Sequence, residues 1–446
     1  MSTLGPVVGY QTNLADLHPP GLPVACRDRV WERSRLEWRV GDGGEPTRLL
    51  QDFLAEHGLP VYDLSRSLPV TGHAERALCG AAVLMSAAAP WPPSPSPSVP
   101  DLVAIVYEHR PVGAPTVSRP ARWWVGDWAP SWSPARHAEA VREVRRAIAR
   151  GDVYQVNMVG HASAPYAGDP RAALHRVATL PGARYGGVLS GGALGGVVLD
   201  DDALGGAGWS VACASPETLV EVVGGRAVTR PIKGTRPATG PGRAELLASV
   251  KERAEHVMIV DLERNDLARV ARTGSVRVEE LYAIRRWCGL WQAESTVSAR
   301  LDEGVGLAAL LDAVWPGGSV TGAPKLAALE VIAALEPVGR GPSMGALGWV
   351  GADRVDLGLT IRTVLAERSV LAERSVLAER SSEGGSVEGG GVEDGGVERG
   401  RLHVWAGGGI TWGSDPAAEV TEAAAKAAPL RAALEGDSFL DPSPAS

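Results

Sequence analysis

A large mixed α/β body, built as one piece or as two lobes, is the fold class this sequence predicts, and three observations carry that expectation. At 446 residues the chain exceeds the size at which a single hydrophobic core is limiting. Its 45% apolar and 22% charged residues lie close to globular averages, which excludes a wholly disordered chain. Helix and strand signals follow one another through its middle, while many of the 55 glycines and 33 prolines gather in biased stretches that read as loops and linkers.

Charge and hydropathy narrow the function. Lys and Arg number 44 against 52 Asp and Glu, a net charge of −8 without a basic stripe, so nucleic acid has no electrostatic footprint and small-molecule chemistry is favoured. The longest apolar run, residues 77–89, is shorter than the roughly 20 residues a bilayer span needs. The amino terminus lacks a basic start followed by an apolar block, and a cytoplasmic protein is expected. Cys26, Cys79, Cys213 and Cys288 show neither metal-ligand spacing nor the density of a disulfide scaffold, so they read as buried free thiols.

In chain order, residues 1–90 give short, weakly patterned segments, and the Pro/Ser tract at 90–100 reads as a linker closing an N-terminal lobe of residues 1–100. A helix of about four turns begins with Ser133 as N-cap and Pro134 at its first position, places Val141, Val144 and Ile148 at helical spacing, and stops at Gly151. Residues 153–158 alternate as a strand, with Tyr154, Val156 and Met158 on one face and the amides Gln155 and Asn157 on the other. Residues 218–223, the Gly224-Gly225 pair and residues 226–230 read as a hairpin that leads into Pro231-Ile232-Lys233-Gly234-Thr235. The hexapeptide Val-Leu-Ala-Glu-Arg-Ser occurs three times between residues 364 and 381, and Gly/Glu-rich sequence follows to Gly400. A six-residue period in three copies cannot bury a core, so residues 367–400 read as a flexible low-complexity insertion.

Four blocks hold polar residues that packing does not require. They are Ala214 to Glu217 with Pro231 to Thr235, then Glu255-His256 with Asp261 to Asp266. Next come Gly317 to Lys325 and, last, Ala406 to Ile410 followed by Glu419 and Glu422. Asp415 as N-cap and Pro416 at the first position open a helix on which Glu419 and Glu422, three residues apart, share a face with Lys426 one turn on. Such a face binds a cation or is simply solvated; Glu255, abutting an apolar helical stretch, offers a further carboxylate. The Gly317 block is read as opening a helix over about 323–335, whose free N–H groups suit an anion. Gly407, Gly408 and Gly409 let backbone approach a ligand, and Arg362 offers a fork to a carboxylate.

Together and in this order, the blocks resemble the chorismate-utilising enzymes over about residues 130–435. These are the large subunits of aminodeoxychorismate and anthranilate synthases and, more distantly, isochorismate and salicylate synthases. The resemblance implies an α/β (α+β) fold of large antiparallel sheets flanked by helices. It implies Mg2+ held by Glu255 and Glu422, with Glu419 as helper, and catalysis by Lys233 and Glu217. Substrate contacts implied in the same way are Gln155, Gly234, Thr235, Gln292, Thr321, Arg362, Gly407, Gly408 and Gly409.

Pro-Ile-Lys-Gly-Thr resembles the aminodeoxychorismate synthase form, whereas anthranilate synthases usually have Ala where Lys233 stands. In the family mechanism that lysine attacks carbon 2 of chorismate, the hydroxyl leaves carbon 4, and ammonia enters there; Glu217 matches the acid that protonates the hydroxyl. Gln155 takes the place of a lysine that activates water in isochorismate-forming relatives, Gln292 that of a histidine linked to pyruvate elimination, and Ser343 that of an aromatic. The resemblance thus implies component I of an aminodeoxychorismate synthase, on the route to 4-aminobenzoate for folate or a specialised metabolite. Lacking a Gly-x-Cys-x-Gly nucleophile turn, it would draw ammonia from a separate glutamine amidotransferase. Anthranilate synthase component I and a non-catalytic chorismate-binding relative are the alternatives.

Overall fold

The computed structural model describes residues 18–22, 26, 30–66, 78–87, 99–109, 123–191, 208–368 and 399–435. The Pro/Ser tract up to residue 98, the hexapeptide repeats beyond residue 368 and residues 369–398 of the expected insertion lie outside the described residues. The first nine strands are β1 (Val30–Trp38), β2 (Leu78–Met85), β3 (Leu102–His109), β4 (Trp123–Val125), β5 (Ala129–Pro130), β6 (Gln155–Gly168), β7 (Tyr185–Gly191), β8 (Trp209–Ser215) and β9 (Thr218–Val223). The others are β10 (Arg226–Arg230), β11 (Ile232–Pro237), β12 (Arg277–Trp287), β13 (Leu290–Arg300), β14 (Gly322–Ala323), β15 (Ala346–Val350), β16 (Arg354–Leu359), β17 (Thr363–Arg368) and β18 (Arg399–Ile410). The helices are α1 (Pro46–Glu56), α2 (Pro134–Arg150), α3 (Arg171–Ala178), α4 (Gly240–Ala248), α5 (Val250–Ala268), α6 (Leu307–Val314), α7 (Lys325–Leu335) and α8 (Pro416–Glu435).

The strands form two antiparallel sheets, as the fold class requires. One has 10 strands, β1-β3-β2-β15-β16-β9-β10-β13-β11 with β12 on β13; the other has 8, β14-β6-β18-β17-β8-β7 with β4 and β5 on β6. Period-two alternation gives β8, β17 and β18 of the smaller sheet two apolar faces. Val211, Cys213, Leu365 and Trp405 join the large core shared with the other sheet, whereas Ala212, Val364, Ala366, Leu402 and Val404 pack with Leu174 and Val177 of α3 and Leu430 and Leu434 of α8. Leu50 and Leu54 of α1, Leu267 of α5 and Leu310 and Leu311 of α6 belong to the large core, and α2 and α7 close over Val156 and Met158 of β6. β1, β2 and β3 share the larger sheet with strands from the rest of the chain, because β2 pairs with β15 from Met85 opposite Ala346 to Ala81 opposite Val350.

Local chemistry sets the boundaries. Ser133 Oγ accepts the Arg136 N–H (3.2 Å) and Gly151 ends α2 in the left-handed region at φ 85°. Asp415 Oδ1 accepts the N–H groups of Ala417 and Ala418 at 3.1 and 2.9 Å, capping α8. The β9–β10 turn places both Gly224 (φ 56°) and Gly225 (φ 72°) where a two-residue hairpin needs positive φ. Two expectations are corrected. The strand expected over 153–158 starts at Gln155, and Tyr154 is 67% exposed, so Val156 and Met158 alone make up the apolar face there, while Gln155 and Asn157 on the other face are buried too. The Gly317 block opens its helix two residues later than expected: it first forms a 3-10 turn (Gly318–Val320), then pairs Gly322 with Val156, and α7 begins at Lys325, the last residue of the block. Pro324, without an N–H and with fixed φ, is the N-cap and sets the later start.

Candidate active site

A cleft opens where β11, β13 and β18 meet α5, α8 and the 3-10 turn. Lys233 reaches it because β11 is irregular against β13: Lys233 faces Ala293, Thr235 faces Gln292, and the register slips at Gly234. Bulges re-aim side chains in this way. Gly234 has φ 76°, and a Cβ there would lie 2.7 Å from Leu246 Cδ1 and 3.1 Å from Glu252 Oε2. Lys233 Nζ donates to the Ser319 carbonyl (2.8 Å), and Ser319 Oγ donates to Glu217 Oε1 (2.6 Å). The Ile232 N–H also points to Glu217 Oε1, at 3.3 Å.

Burial governs this inner wall. It pushes the Glu217 carboxyl up against the opposing pull of Lys233, and it pulls the Lys233 amine down despite Glu217. The side chain of Lys233 keeps some exposure to the cleft, but the amine is enclosed by protein, so both partners move toward their neutral forms. Arg362 is buried with Trp287 4.8 Å beneath its guanidinium and donates to the neighbouring Ile361 carbonyl (3.0 Å), and its Nε has no partner among the described residues. Burial pulls its pKa down to about 10, and it makes no ion pair among the described residues, so its fork has the chemistry to receive an anion.

The outer wall is acidic. From α5 come Glu252 and Glu255, from α8 Glu419 and Glu422, and all four line the cleft with Lys251 and Lys426. Thr411 Oγ1 donates to Glu255 Oε1 (2.6 Å), while Lys251 stands between Glu255 (3.6 Å) and Glu419 (3.5 Å). Lys426 pairs with Glu422 (2.7 Å) and donates to the Gly407 carbonyl (2.9 Å). Burial pushes Glu422 up, but Lys426 outweighs it and holds the carboxyl below its usual range. Burial pushes Glu419 up, Ser414 opposes it, and the Glu422 charge adds to the rise; Glu252 is raised by burial and then by Glu255 and Glu422. An all-oxygen donor set with surplus negative charge suits a hard divalent cation, so Glu255, Glu419 and Glu422 fit the Mg2+ that the resemblance implies.

Between the walls lies a strip of β18 made of Gly407, Gly408 and Gly409. A methyl at Gly408 would stand 3.4 Å from both Glu419 Oε2 and Lys426 Nζ, and one at Gly409 would stand 3.5 Å from Lys233 Nζ. Gln155 presses its amide on Gly409, where a Cβ would collide with it, and neither amide atom has a partner among the described residues.

The cleft thus gathers Lys233, Glu217, Gly234, Thr235, Gln292, Arg362, Gly407, Gly408, Gly409, Glu255, Glu419 and Glu422. Gln155 lies just behind the glycine strip. Thr321 is not in the lining: it is buried, and its hydroxyl donates to the Gly317 carbonyl (2.9 Å). Ser319 takes the place expected for Thr321, since the 3-10 turn points its hydroxyl and carbonyl at the acid and the amine. Ser319, Glu252, Lys251 and Met344 were missed; only Ser319 had a signal, as the other hydroxyl of the Gly317 block. Ser343 is fully buried and donates to the Thr360 carbonyl (3.3 Å), whereas Met344 beside it lines the cleft.

Comparisons with known proteins place these features in context. The model of the chorismate binding enzyme family matches residues 94–374. Anthranilate synthase component 1 of Streptomyces coelicolor is 33% identical over 438 residues, 94% of this chain and 70% of its own. Aminodeoxychorismate synthase component 1 of Salmonella typhimurium is 37% identical over 54% of this chain, and that of Bacillus subtilis 36% over 54%. The matches span about half of those two relatives, 51% and 50%. Among solved structures, anthranilate synthase component I of Streptococcus pneumoniae superposes with a TM-score of 0.64 at 22% identity, over 90% of this chain and 91% of its own. The menaquinone-specific isochorismate synthase of Escherichia coli gives 0.59 at 15% identity, over 90% and 84%. These two likenesses speak to the fold.

Proposed function

The chain belongs to the chorismate-binding enzyme family, and on that premise we propose that it is component I of an aminodeoxychorismate synthase, aminating chorismate at carbon 4. The observation that carries this reading is Lys233, an enclosed amine drawn toward its neutral form and joined through Ser319 to an acid drawn the same way. A neutral amine is a nucleophile and a protonated carboxyl is a proton donor, so both shifts run in the direction that the reaction needs.

In this mechanism the Lys233 amine bonds to carbon 2, both ring double bonds shift toward carbon 4, and the carbon 4–oxygen bond breaks. Glu217 gives its proton to the departing hydroxyl, which leaves as water. Ammonia then bonds to carbon 4, the shift reverses, and the lysine amine is expelled; the proton shed by the new ammonium returns Glu217 to its acid form. The net change is chorismate plus ammonia to 4-amino-4-deoxychorismate plus water. Arg362 and the backbone of Gly407, Gly408 and Gly409 hold the substrate carboxylates. Glu255, Glu419 and Glu422 would hold Mg2+, which when bound supplies positive charge opposite a carboxylate. Ammonia from a glutamine amidotransferase partner and a cytoplasmic setting belong to the same proposal. Among the described residues no helix is long and apolar enough to cross a membrane.

A second reading, anthranilate synthase component I, draws on the long match to the Streptomyces relative. Lys233 and Gln292 oppose it, because the first supplies a nucleophile and the second is a poor acid or base. Incubation with chorismate, Mg2+ and ammonium salt, followed by mass spectrometry, decides between them. Aminodeoxychorismate is the expected product; anthranilate would transfer the assignment to the second reading, and unchanged chorismate would sink both.

A further inference from the structure

We propose that Cys26, Cys79 and His109 form a zinc site at the end of the larger sheet far from the cleft. The three residues are scattered in sequence, and it is the sheet that gathers them. Cys26 stands shortly before β1, Cys79 lies in β2, and His109 ends β3; Val30 of β1 is opposite His109, and Leu78 of β2 is opposite Glu108. The β2–β3 register slips between Leu78 and Gly80, so Cys79 has no partner across the ladder and its side chain is re-aimed. Gly80, at φ 149°, permits this bulge, since a Cβ there would lie 2.7 Å from the indole of Trp349.

The result is a compact set of soft ligands. The two Sγ atoms and a ring nitrogen of His109 all lie within 4.8 Å of one another, and His109 Nε2 is 3.2 Å from Cys26 Sγ. Both thiols are only 2% exposed, and neither is in a disulfide. Zinc bonds of about 2.3 Å to sulfur and about 2.0–2.1 Å to nitrogen place tetrahedral ligand atoms roughly 3.5–3.8 Å apart, within reach of small side-chain rotations. Two thiolates and one imidazole select zinc over hard cations such as Mg2+. Binding forms two zinc–sulfur bonds and one zinc–nitrogen bond and releases two thiol protons to solvent, with no change of oxidation state. The two thiolate charges cancel that of the ion, and the fourth position is left to water or another donor. Cys79 and Met85 are at opposite ends of β2, and Met85 pairs with Ala346 beside Met344 of the cleft, so the metal would fasten Cys26 to β2 and β3 rather than serve the reaction.

The test is metal analysis of the full-length protein after incubation with zinc chloride and desalting. One zinc per chain is expected in the wild type and in Cys288→Ser, with loss of the ion in Cys26→Ser and Cys79→Ser. Cobalt in its place should give a near-ultraviolet thiolate charge-transfer band that both serine variants lack. Absence of zinc from the wild type, or its retention by both variants, would overturn the site. Should the variants fail to fold, the wild type decides alone: over an exposure long enough for local opening to admit the reagent, zinc must slow the alkylation of two thiols, mapped by mass spectrometry to Cys26 and Cys79. Equal alkylation with and without zinc, or a Cys26–Cys79 disulfide, would also refute it.

Discussion

The inner and outer walls of the cleft are made of the same groups, carboxylates and amines, and treat them in opposite ways. Glu217 and Lys233 are driven toward neutrality, because burial outweighs their mutual attraction. On the outer wall Glu422 is held as an anion by Lys426, and Lys251 is held as a cation against burial by Glu255 and Glu419. Residue type therefore says little about protonation state; enclosure and the charge of the nearest partners decide it. The inner wall suits bond making and proton transfer, and the outer wall suits holding ions.

The strongest break in this contrast is Lys233→Ala. Removing the nucleophile should lower amination on the order of 10³-fold or more while chorismate binding survives. Enzyme quenched during turnover should carry an adduct on the Lys233 peptide that the variant lacks. Full amination by the variant, with no adduct in the wild type, would remove the nucleophile assignment. The outer wall comes next: Glu255→Gln or Glu422→Gln should cost at least the roughly 10–100-fold that loss of an outer-shell partner costs a metal site, with the fold intact by circular dichroism. Rates measured against Mg2+ concentration check this, and wild-type activity in EDTA would contradict it.

Arg362→Lys tests the junction of the walls. Replacing the fork by a point charge should raise KM by about 10–100-fold, the equivalent of ~1.5–3 kcal/mol for a charge-assisted hydrogen bond. An unchanged KM would separate Arg362 from substrate. Glu263 sharpens the contrast further, since it is buried behind the inner wall, accepts a bond from Thr229 Oγ1 (3.0 Å), and is pushed up to about 8 by burial and then by Asp266. Between the ordinary carboxylate range and pH 8 the folded state holds this proton and the unfolded chain does not. Its contribution to stability is complete at low pH and is lost as pH rises toward 8. Glu263→Gln should flatten that decline by at most about 1.4 kcal/mol per pH unit, read from urea melts at several pH values. Parallel slopes in the two proteins would count against it.

The smallest effect belongs to the region remote from both walls. Arg368 of β17 pairs with Gly400 of β18, so a short turn can join them, and lengthening a flexible connection costs only about 0.6 kcal/mol per doubling. Deletion of residues 373–398 should leave activity and Tm nearly unchanged; a collapse of either would give that stretch a structural or functional role.

Much of the cleft was legible because its chemistry depends on short blocks: Lys233 beside Gly234, Glu419 and Glu422 on a capped helix, and the three glycines of β18. Hairpin β9–β10 and the caps of α2 and α8 were legible for the same local reason. What escaped was set by distance in the chain. β2 and β3 are apolar almost throughout, since they are covered on both faces, and so lack the alternation that marks a half-exposed strand. Glu252 gives no spacing signal, and only the fold of the Gly317 block shows that Ser319, not Thr321, meets Lys233 and Glu217. Cys26, Cys79 and His109 meet only because β1 and β2 flank β3.

The pairing of β2 with β15 bears on how the protein can be cut. The family match begins at residue 94, which invites a fragment starting there, yet such a fragment would lack β1 and β2. β15, whose five residues Ala-Leu-Gly-Trp-Val are all buried, would become a bare apolar edge. Open backbone donors and acceptors on a flat, uncharged strand recruit other chains. The loop that carries Met344 would lose its clamp as well, since Ser86 Oγ and the Ala87 N–H both donate to the Gly341 carbonyl, at 2.6 and 3.1 Å. Aggregation of the shortened chain would therefore report a missing neighbour strand, and say nothing about whether the cleft it still encodes is competent.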